Sequence, residues 1–444
     1  MGNPRSYWFR AGLLSFGERF AQLLFGFGSL WMLLRMWSVR EFGYWVLFLS
    51  ITTLVEIARV GLLQNALVKF LSTAQDESDY RRINSAALML NILLGIGAAL
   101  LVILLAFPLS LILEAEILIK MLPIYGLTTI FFIPMHQANF SQQANLDFRG
   151  IFWGNFTNRG IFFLFIAFAF FGFMEVEPLD LAWIQVLTTA LGAIVSAILA
   201  RPYLRFYRGI DWKWVAELFH FGKYVCGTNL GTMLFKSIDK LMLAALISPA
   251  AAAVYEVAIR ITNLAEVPTF SMAAIVFPQS AKRHADTETP PSQVGELYEK
   301  SVAGILAFLI PSIIVILLFP TLIIEIVAGD KYLEAVPLLQ LTMLYGLFVP
   351  FAVQFGTILD STGHPRVNFV YTALGALLNV MFNYLFISYF GITGAAYGTL
   401  MTFFVMFVAM QMELNRRFNV KLSQVLARIP FVYRQLWQRF RPSL

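Results

Sequence analysis

The chain has 444 residues, 59% of them hydrophobic and 13% charged, with a formal net charge of +6 and a mean hydropathy of +0.73. Soluble domains carry about 25% charged residues, so a soluble enzyme or binding domain is excluded and a polytopic membrane protein remains. The positive balance reflects the placement of basic residues at the ends of apolar runs, and no nucleic-acid role is assigned.

Apolar stretches of about 20 residues, each long enough to cross a bilayer core, recur along the chain. About twelve are predicted, at 10–34, 43–68, 84–107, 117–138, 152–174, 181–200, 222–247, 250–277, 302–327, 336–359, 367–390 and 392–413. The first follows Arg5 and Arg10 as a signal-peptide core would. It is too long for one, lacks a small-residue cleavage site and carries Glu18 and Arg19, so it is expected to be retained. With the N-terminus inside, the cytoplasmic segments hold Lys69, Arg81, Arg82, Arg149, Arg201, Arg205, Arg208, Lys282, Arg283, Lys300 and Arg366, besides a basic tail. The outside loops hold only Arg35, Arg40, Lys120 and Lys331, so both termini are predicted to be cytoplasmic. The longest loop, around 278–300, lies inside, and no external loop is large enough to build a catalytic domain, so no enzymatic activity is expected. The lone Cys226 lies in a span, without a partner for an intramolecular disulfide and without metal-type spacing.

Features recur at an offset of a little over two hundred residues. Phe16-Gly17 opens span one and Phe221-Gly222 opens span seven; LVILLAFPLSLIL surrounds Pro108 and IVILLFPTLIIEI surrounds Pro320; Tyr44 and Tyr255 lie near the starts of spans two and eight. This order predicts two six-helix halves of the same orientation, with a site between them near the midplane. The predicted organisation is an N-terminal bundle (1–200), a cytoplasmic connector (201–219), a C-terminal bundle (220–414) and a basic amphipathic cytoplasmic tail (415–444). The connector is basic and aromatic, which suits an interfacial helix. In the tail, Leu422, Val425, Leu426, Ile429, Val432, Leu436, Trp437 and Phe440 recur at helical spacing among Arg428, Arg434 and Arg439. That pattern suits a surface-lying helix or a partner-docking one, with a kink or restart at Pro430.

Ten charged residues interrupt the first two spans of each half: Glu18, Arg19, Glu56, Arg59, Lys236, Asp239, Lys240, Glu256, Arg260 and Glu266. Each costs roughly 2.5–3.5 kcal/mol at bilayer depth on insertion scales, so each must face protein, water or a ligand. Glu56 lies three before Arg59, Glu256 four before Arg260, and Asn229, Lys236 and Lys240 share one stripe. Ion pairs between helices account for any one pair. They account less well for the set, because buried pairs are costly and apolar residues would pack as well. The functional alternative is a water-filled cavity. Arginine's planar fork suits phosphate oxygens, so Arg19, Arg59 and Arg260 are candidate diphosphate ligands, with Lys236 and Lys240 adding less directional charge. Glu18, Glu56, Glu256 and Glu266 are candidate gates or counter-ions. Asp239, Asn379, Asn383 and Thr399 supply hard oxygens of the type alkali cations accept, or simply hydrogen-bond helices together. His136, His220, His284 and His364 are scattered at span ends, with no metal cluster or His-based triad expected. The sequons at Asn139 and Asn155 are chance matches inside spans or on the cytoplasmic side. Gly391, Gly394 and Gly398 have the spacing of close helix packing, and no glycine-rich phosphate loop marks an ATPase.

Three stretches carry a family resemblance. EFGYWVLFLSITTLVEIARVGLLQNALVKFLS resembles the second span of polysaccharide repeat-unit (O-antigen type) flippases, and FHFGKYVCGTNLGTMLFKSIDKLMLAALISPAAAAVYEVAIRI resembles the start of their second half. DSTGHPRVNFVYTALGALLNVMFNYLFISYFGITGAAYGTLM is similar to their loop ten through span twelve. These flippases belong to the multidrug/oligosaccharidyl-lipid/polysaccharide (MOP) superfamily. The resemblance covers nearly the whole chain through diffuse patterns. It implies an all-α membrane protein whose twelve helices form two MATE-like bundles that rock between inward- and outward-open states. The implied substrate is undecaprenyl-diphosphate-linked oligosaccharide, flipped across a bacterial inner membrane for surface polysaccharide or lipopolysaccharide. Membrane lipids and a polysaccharide polymerase complex are the implied partners. By similarity to the lipid II flippase branch, Arg19, Arg59 and Arg260 occupy diphosphate positions, and Asp239, Asn379, Asn383 and Thr399 resemble its sodium site. Asn383 stands where that branch commonly has aspartate, which lowers the site's charge. The branch often carries two extra C-terminal helices, so a repeat-unit flippase fits better. No cofactor is expected beyond coupling to sodium ions or protons. The alternative is a cation-coupled multidrug antiporter. Seven basic residues in or beside the spans (Arg19, Arg59, Arg159, Lys223, Lys236, Lys240, Arg260) against five carboxylates (Glu18, Glu56, Asp239, Glu256, Glu266) lean away from it.

Overall fold

The computed structural model describes residues 4–264, 266–285 and 290–440. The side chains of Glu18 and Arg19, and in the tail those of Leu436, Arg439 and Phe440, lie outside the described residues. Sixteen α-helices follow one another: α1 (Pro4–Met36), α2 (Val39–Ser72), α3 (Glu77–Ile112), α4 (Leu118–Ala144), α5 (Arg149–Phe170), α6 (Pro178–Ala200), α7 (Trp212–Leu246), α8 (Pro249–Leu264), α9 (Glu266–Ala285), α10 (Pro291–Leu318), α11 (Pro320–Val327), α12 (Ala335–Gly346), α13 (Val349–Ser361), α14 (Pro365–Phe390), α15 (Ile392–Phe418) and α16 (Leu422–Phe440). Their starts follow from local chemistry. Ser38 and Glu41 close a capping box on α2, Asp76 accepts from the Asp79 amide at the head of α3, and Pro178 occupies the first turn of α6. Gly391 (φ 62°, ψ −138°) makes the turn between α14 and α15, a conformation closed to other residues.

Among the described residues, nine helical segments are long and apolar enough to cross a membrane, and α8 with α9, whose axes lie 43° apart, makes a tenth. This establishes a multi-pass, all-α membrane protein. Helix α7 is as long as the others but carries Lys223, Lys236, Asp239 and Lys240, and α1 contributes the apolar stretch Phe20–Met36. Two predicted spans are broken, 302–327 at Pro320 and 336–359 just before Pro350, and 250–277 bends by 43° between α8 and α9. Both prolines sit in the first turn of the following helix, where a missing N–H costs nothing.

The chain divides into two compact units: Met1–Leu234 with Ser248–Ala250, and Phe235–Ile247 with Ala251–Leu444. In the first, α4 packs against α2, α3, α5 and α6. Polar side chains tie these contacts. Gln137 Nε2 donates to Asn84 Oδ1 at 2.7 Å, Ser141 Oγ to the same atom at 3.1 Å, and Ser196 Oγ to Asn139 Oδ1 at 2.5 Å. The opening of α7 packs on α2, where a Cβ on Gly222 would run into the Leu62 carbonyl and one on Gly61 would lie 2.9 Å from Asn229 Nδ2. Gly222→Val is therefore expected to cost about 1–3 kcal/mol, seen as a lower unfolding midpoint of the detergent-solubilised protein; an unchanged midpoint would show that α7 can shift freely. The connector is not the expected interfacial helix. Residues 201–211 are irregular and residues 212–219 already belong to α7. The irregular stretch is held by side chains of α3: Tyr80 Oη donates to the Tyr203 carbonyl (3.0 Å), Asn84 Nδ2 to that of Arg205 (3.1 Å) and Ser85 Oγ to that of Tyr207 (3.1 Å). Beside it, the Arg149 guanidinium holds the Asp147 carboxyl below the usual carboxylate range.

In the second unit, α10 packs against α9, α13, α15 and α16. The tail helix α16 runs on through Pro430 without restarting there. It is seated on its own unit: Val425 is fully buried, the Lys421 amide just before the helix donates to Glu299 Oε1 (2.9 Å), and Tyr433 Oη donates to the Ala307 carbonyl (2.6 Å). Leu426, Phe431 and Trp437 remain exposed. On α15, Gly394 backs onto the Phe386 carbonyl and Gly398 onto Asn383, the close packing expected from their spacing.

Candidate functional site

Among the described residues, the intramembrane charges form one constellation in the first unit and, in the second, two constellations and a separate ion pair. In the first, Arg59 is 4% exposed on α2, and its Nη1 donates to Glu56 Oε2 at 3.1 Å one turn earlier. From α4, Tyr125 Oη donates toward the same oxygen (3.1 Å) and the Thr52 carbonyl (3.2 Å). His136 Nε2 lies 3.2 Å from Glu56 Oε1, a close charge contact off the line of a hydrogen bond. Arg59 Nε and Nη2 are buried and have no hydrogen-bond partner. Gly95 of α3 leaves the room beside them, since a Cβ there would stand 3.3 Å from Nη2. His136 corrects the expectation that the histidines lie scattered at span ends: it sits inside α4, stacked between Phe132 and Phe140 with ring centroids 5.1 and 5.4 Å away. From sequence His136 is weighed only for a metal cluster or triad, and Tyr125 is not named. They lie eleven residues apart, three helical turns, which puts them on one face of α4.

In the second unit, Asp239 of α7 is buried among donors from three helices. It accepts from Tyr255 Oη of α8 (2.7 Å), Thr399 Oγ1 of α15 (2.9 Å) and Asn383 Nδ2 of α14. Asn379 Nδ2 donates to Thr399 Oγ1 (3.1 Å), and Asn383 Nδ2 also reaches Asn379 Oδ1 (3.2 Å). The structure thus brings together all four residues of the expected alkali-cation set and adds Tyr255. Asn383 Oδ1 is buried and without a partner. That orphaned oxygen, beside a carboxylate, a second amide and a hydroxyl, fits a hard monovalent cation by donor chemistry. Among the described residues no group of three or more His, Cys, Asp or Glu forms a metal site.

Next to it on α7 and α8, Glu256 is pinned from two sides. Lys240 Nζ stands 2.9 Å from Oε2 and Arg260 Nε 2.6 Å from Oε1. Lys240 is only 12% exposed, whereas Arg260 is 48% exposed. Lys236 Nζ pairs with Glu266 Oε2 at 2.7 Å and lies over the Phe270 ring. Each described basic candidate is therefore ion-paired: Arg59 to Glu56, Lys240 and Arg260 to Glu256, and Lys236 to Glu266. Chemically these are neutralised cations, and Arg59 is the one among them with buried N–H groups left over.

The family model described as "Polysaccharide biosynthesis protein" matches residues 32–337. Over 205 residues the chain is 31% identical to an uncharacterized membrane protein of Methanocaldococcus jannaschii, covering 46% of this chain and 40% of that one. Over 222 residues it is 25% identical to a probable low-salt glycan biosynthesis flippase of Haloferax volcanii, covering 50% and 45%. It thus spans less than half the length of these curated relatives. Among solved structures, the lipid II flippase MurJ in an inward closed conformation superposes with a TM-score of 0.77 at 13% identity, over 98% of this chain and 93% of that one. An inward-facing MATE-family multidrug transporter of the MOP superfamily follows at 0.73 and 13%, over 93% and 96%. At these identities the likeness is one of fold. The match of the family model over more than half of the chain, on a MOP-type fold, places this protein in the polysaccharide biosynthesis protein family.

Proposed function

We propose that this protein is a flippase for polyprenyl-diphosphate-linked oligosaccharide, working by alternating access without enzymatic chemistry. The carrying observation is Arg59: a guanidinium almost fully buried in an apolar helix, with Nε and Nη2 unsatisfied. Leaving such donors unpaired costs about 1–3 kcal/mol or more. An anionic headgroup with several acceptor oxygens offsets that cost when it arrives. Arg260, half-exposed, with Lys236 and Lys240, would draw the same charge in the second unit, while Glu56, Glu256 and Glu266 neutralise these cations when no substrate is present. The prenyl tail would stay in lipid. Asp239, Asn379, Asn383 and Thr399 would hold a sodium ion, which when bound supplies a fixed positive charge beside the buried carboxylate. The proposal includes twelve spans with both termini cytoplasmic and, as the specific case expected from sequence, an undecaprenyl carrier in a bacterial inner membrane, with a polysaccharide polymerase as neighbour. The Haloferax relative named as a glycan flippase supports the glycan substrate class.

Arg59→Gln and Arg260→Gln are each expected to abolish surface glycan while the protein still inserts in the membrane, measured by glycan staining beside an immunoblot of membranes. Normal glycan in both variants would remove the headgroup role. The shared fold with a multidrug transporter favours one competing activity; gene-dependent dye efflux in a host lacking its own pumps, with glycan unchanged, would establish that activity instead.

A further inference from the structure

Glu56 is contested. Its Oε2 takes Arg59 Nη1 and Tyr125 Oη, and its Oε1 faces His136 Nε2 at 3.2 Å with no hydrogen bond of its own. One carboxylate therefore stands between a permanent cation and a base that becomes a cation on taking a proton. Around His136, α2 presents Glu56 and Arg59, and α4 itself presents Tyr125 on the far oxygen of Glu56. From α3 come Gly95, beside Arg59, and Asn91, whose amide holds the Ile133 carbonyl. From α5 comes Asn158, against Met135, while Arg159 lies against the Gln22 amide of α1; from α6 comes Ser196, bonded to Asn139. His136 thus meets one carboxylate and one guanidinium. Glu56 and His136 are 19% and 14% exposed. The imidazole is held between the Phe132 and Phe140 rings, which fix its orientation toward Glu56.

We propose that His136 and Glu56 form a proton-binding site coupled to anion capture: protonated His136 draws the Glu56 carboxylate, and Arg59, released from its ion pair, takes the anionic headgroup. This rests on the assignment of Arg59 to that headgroup and adds the ion that accompanies it. With neutral His136 the three groups sum to zero, and an arriving anion meets the Glu56 charge. With His136 protonated they sum to +1, and the N–H groups of Arg59 face an anion without competition. Proton and anion therefore favour each other's binding, and by linkage the effect is reciprocal.

The experiment uses the full chain in lipid nanodiscs, titrated between pH 8 and pH 5.5 with two dianions whose charge is constant over that range: sulfate, and a farnesyl-diphospho-N-acetylglucosamine. Affinity for both is expected to rise by about tenfold toward the acid end, with proton uptake on binding shown by titration in buffers of different ionisation enthalpy. His136→Gln should bind both at the weaker, alkaline level with no pH slope. Should that variant fail to fold, His136→Phe keeps the ring stack and carries the same expectation. Glu56→Gln should already bind at the tight, acidic level at pH 8, because no carboxylate competes for the N–H groups of Arg59. A pH slope that persists in the His136 variants, or a flat wild type, overturns the coupling. Arg59→Gln separates the two ideas: unchanged binding at every pH, or no binding of either probe to the wild type, overturns the Arg59 assignment, whereas weakened binding with the slope kept in His136→Gln overturns the proton site alone.

Discussion

Asp239→Ala should lower the stability of the second unit by about 3–5 kcal/mol. The carboxylate is the shared acceptor for Tyr255, Thr399 and Asn383, drawn from three helices. Its removal strands three buried donors, each costing about 1–3 kcal/mol when unpaired, and no water-exposed rotamer is open to Tyr255 or Asn383, both fully buried. Asp239→Asn should fall between alanine and wild type, because it keeps one acceptor while adding an N–H₂ to a site already crowded with donors. Denaturant unfolding in mixed micelles reads this order directly. The same variants address the cation: sodium, exchanged for choline at constant ionic strength, should raise the unfolding midpoint of the wild type and leave that of Asp239→Asn unmoved. Equal midpoints for wild type and Asp239→Ala would show that the constellation contributes nothing to the fold.

Glu256→Ala should cost a similar amount for a different reason. It leaves Lys240, 12% exposed, as a buried cation without its partner, and breaking one side of a buried pair typically costs about 3–5 kcal/mol. Arg260 can turn its half-exposed head away; Lys240 cannot. The discriminating result is rescue. Glu256→Ala combined with Lys240→Met should recover most of the loss, because a neutral side chain of similar length restores packing without the charge. A double variant as unstable as the single one would place the cost in lost volume rather than in the stranded lysine.

Much of this architecture was legible from the chain alone. Runs such as 84–107 and 392–413 are long and apolar enough that only a membrane accommodates them, and the structure places both in single helices, α3 and α15. The grouping of Asp239 with Asn379, Asn383 and Thr399 was foreseen through family resemblance and appears in three dimensions as hydrogen bonds among α7, α14 and α15. What escaped depends on which helices touch. Nothing near His136 in sequence announces Glu56, eighty residues away; only the packing of α4 on α2 brings them together. In the sequence Tyr255 marks only the start of span eight, and its hydroxyl gains meaning from the carboxylate of the preceding helix. What a proline does to a helix depends on where in the helix it falls. Pro320 and Pro350 begin helices, where their missing N–H is harmless, whereas Pro430 sits inside α16, where Ile429 and Val425 pack against the α10 core and outweigh the lost bond.

The seating of α16 on α10 bears on how the protein can be handled. Phe418, Val420 and Val425 belong to the same apolar cluster as Tyr298, Val302 and Leu306, and Gly295 lies against the Phe418 carbonyl with no space for a side chain. Trimming the chain at the end of α15 to improve crystals, or fusing a reporter there, would peel a layer from the bundle's interior and leave Glu299 without the Lys421 amide and Arg428. A purification tag or fluorescent fusion belongs beyond residue 440, where it extends a docked helix instead of replacing it.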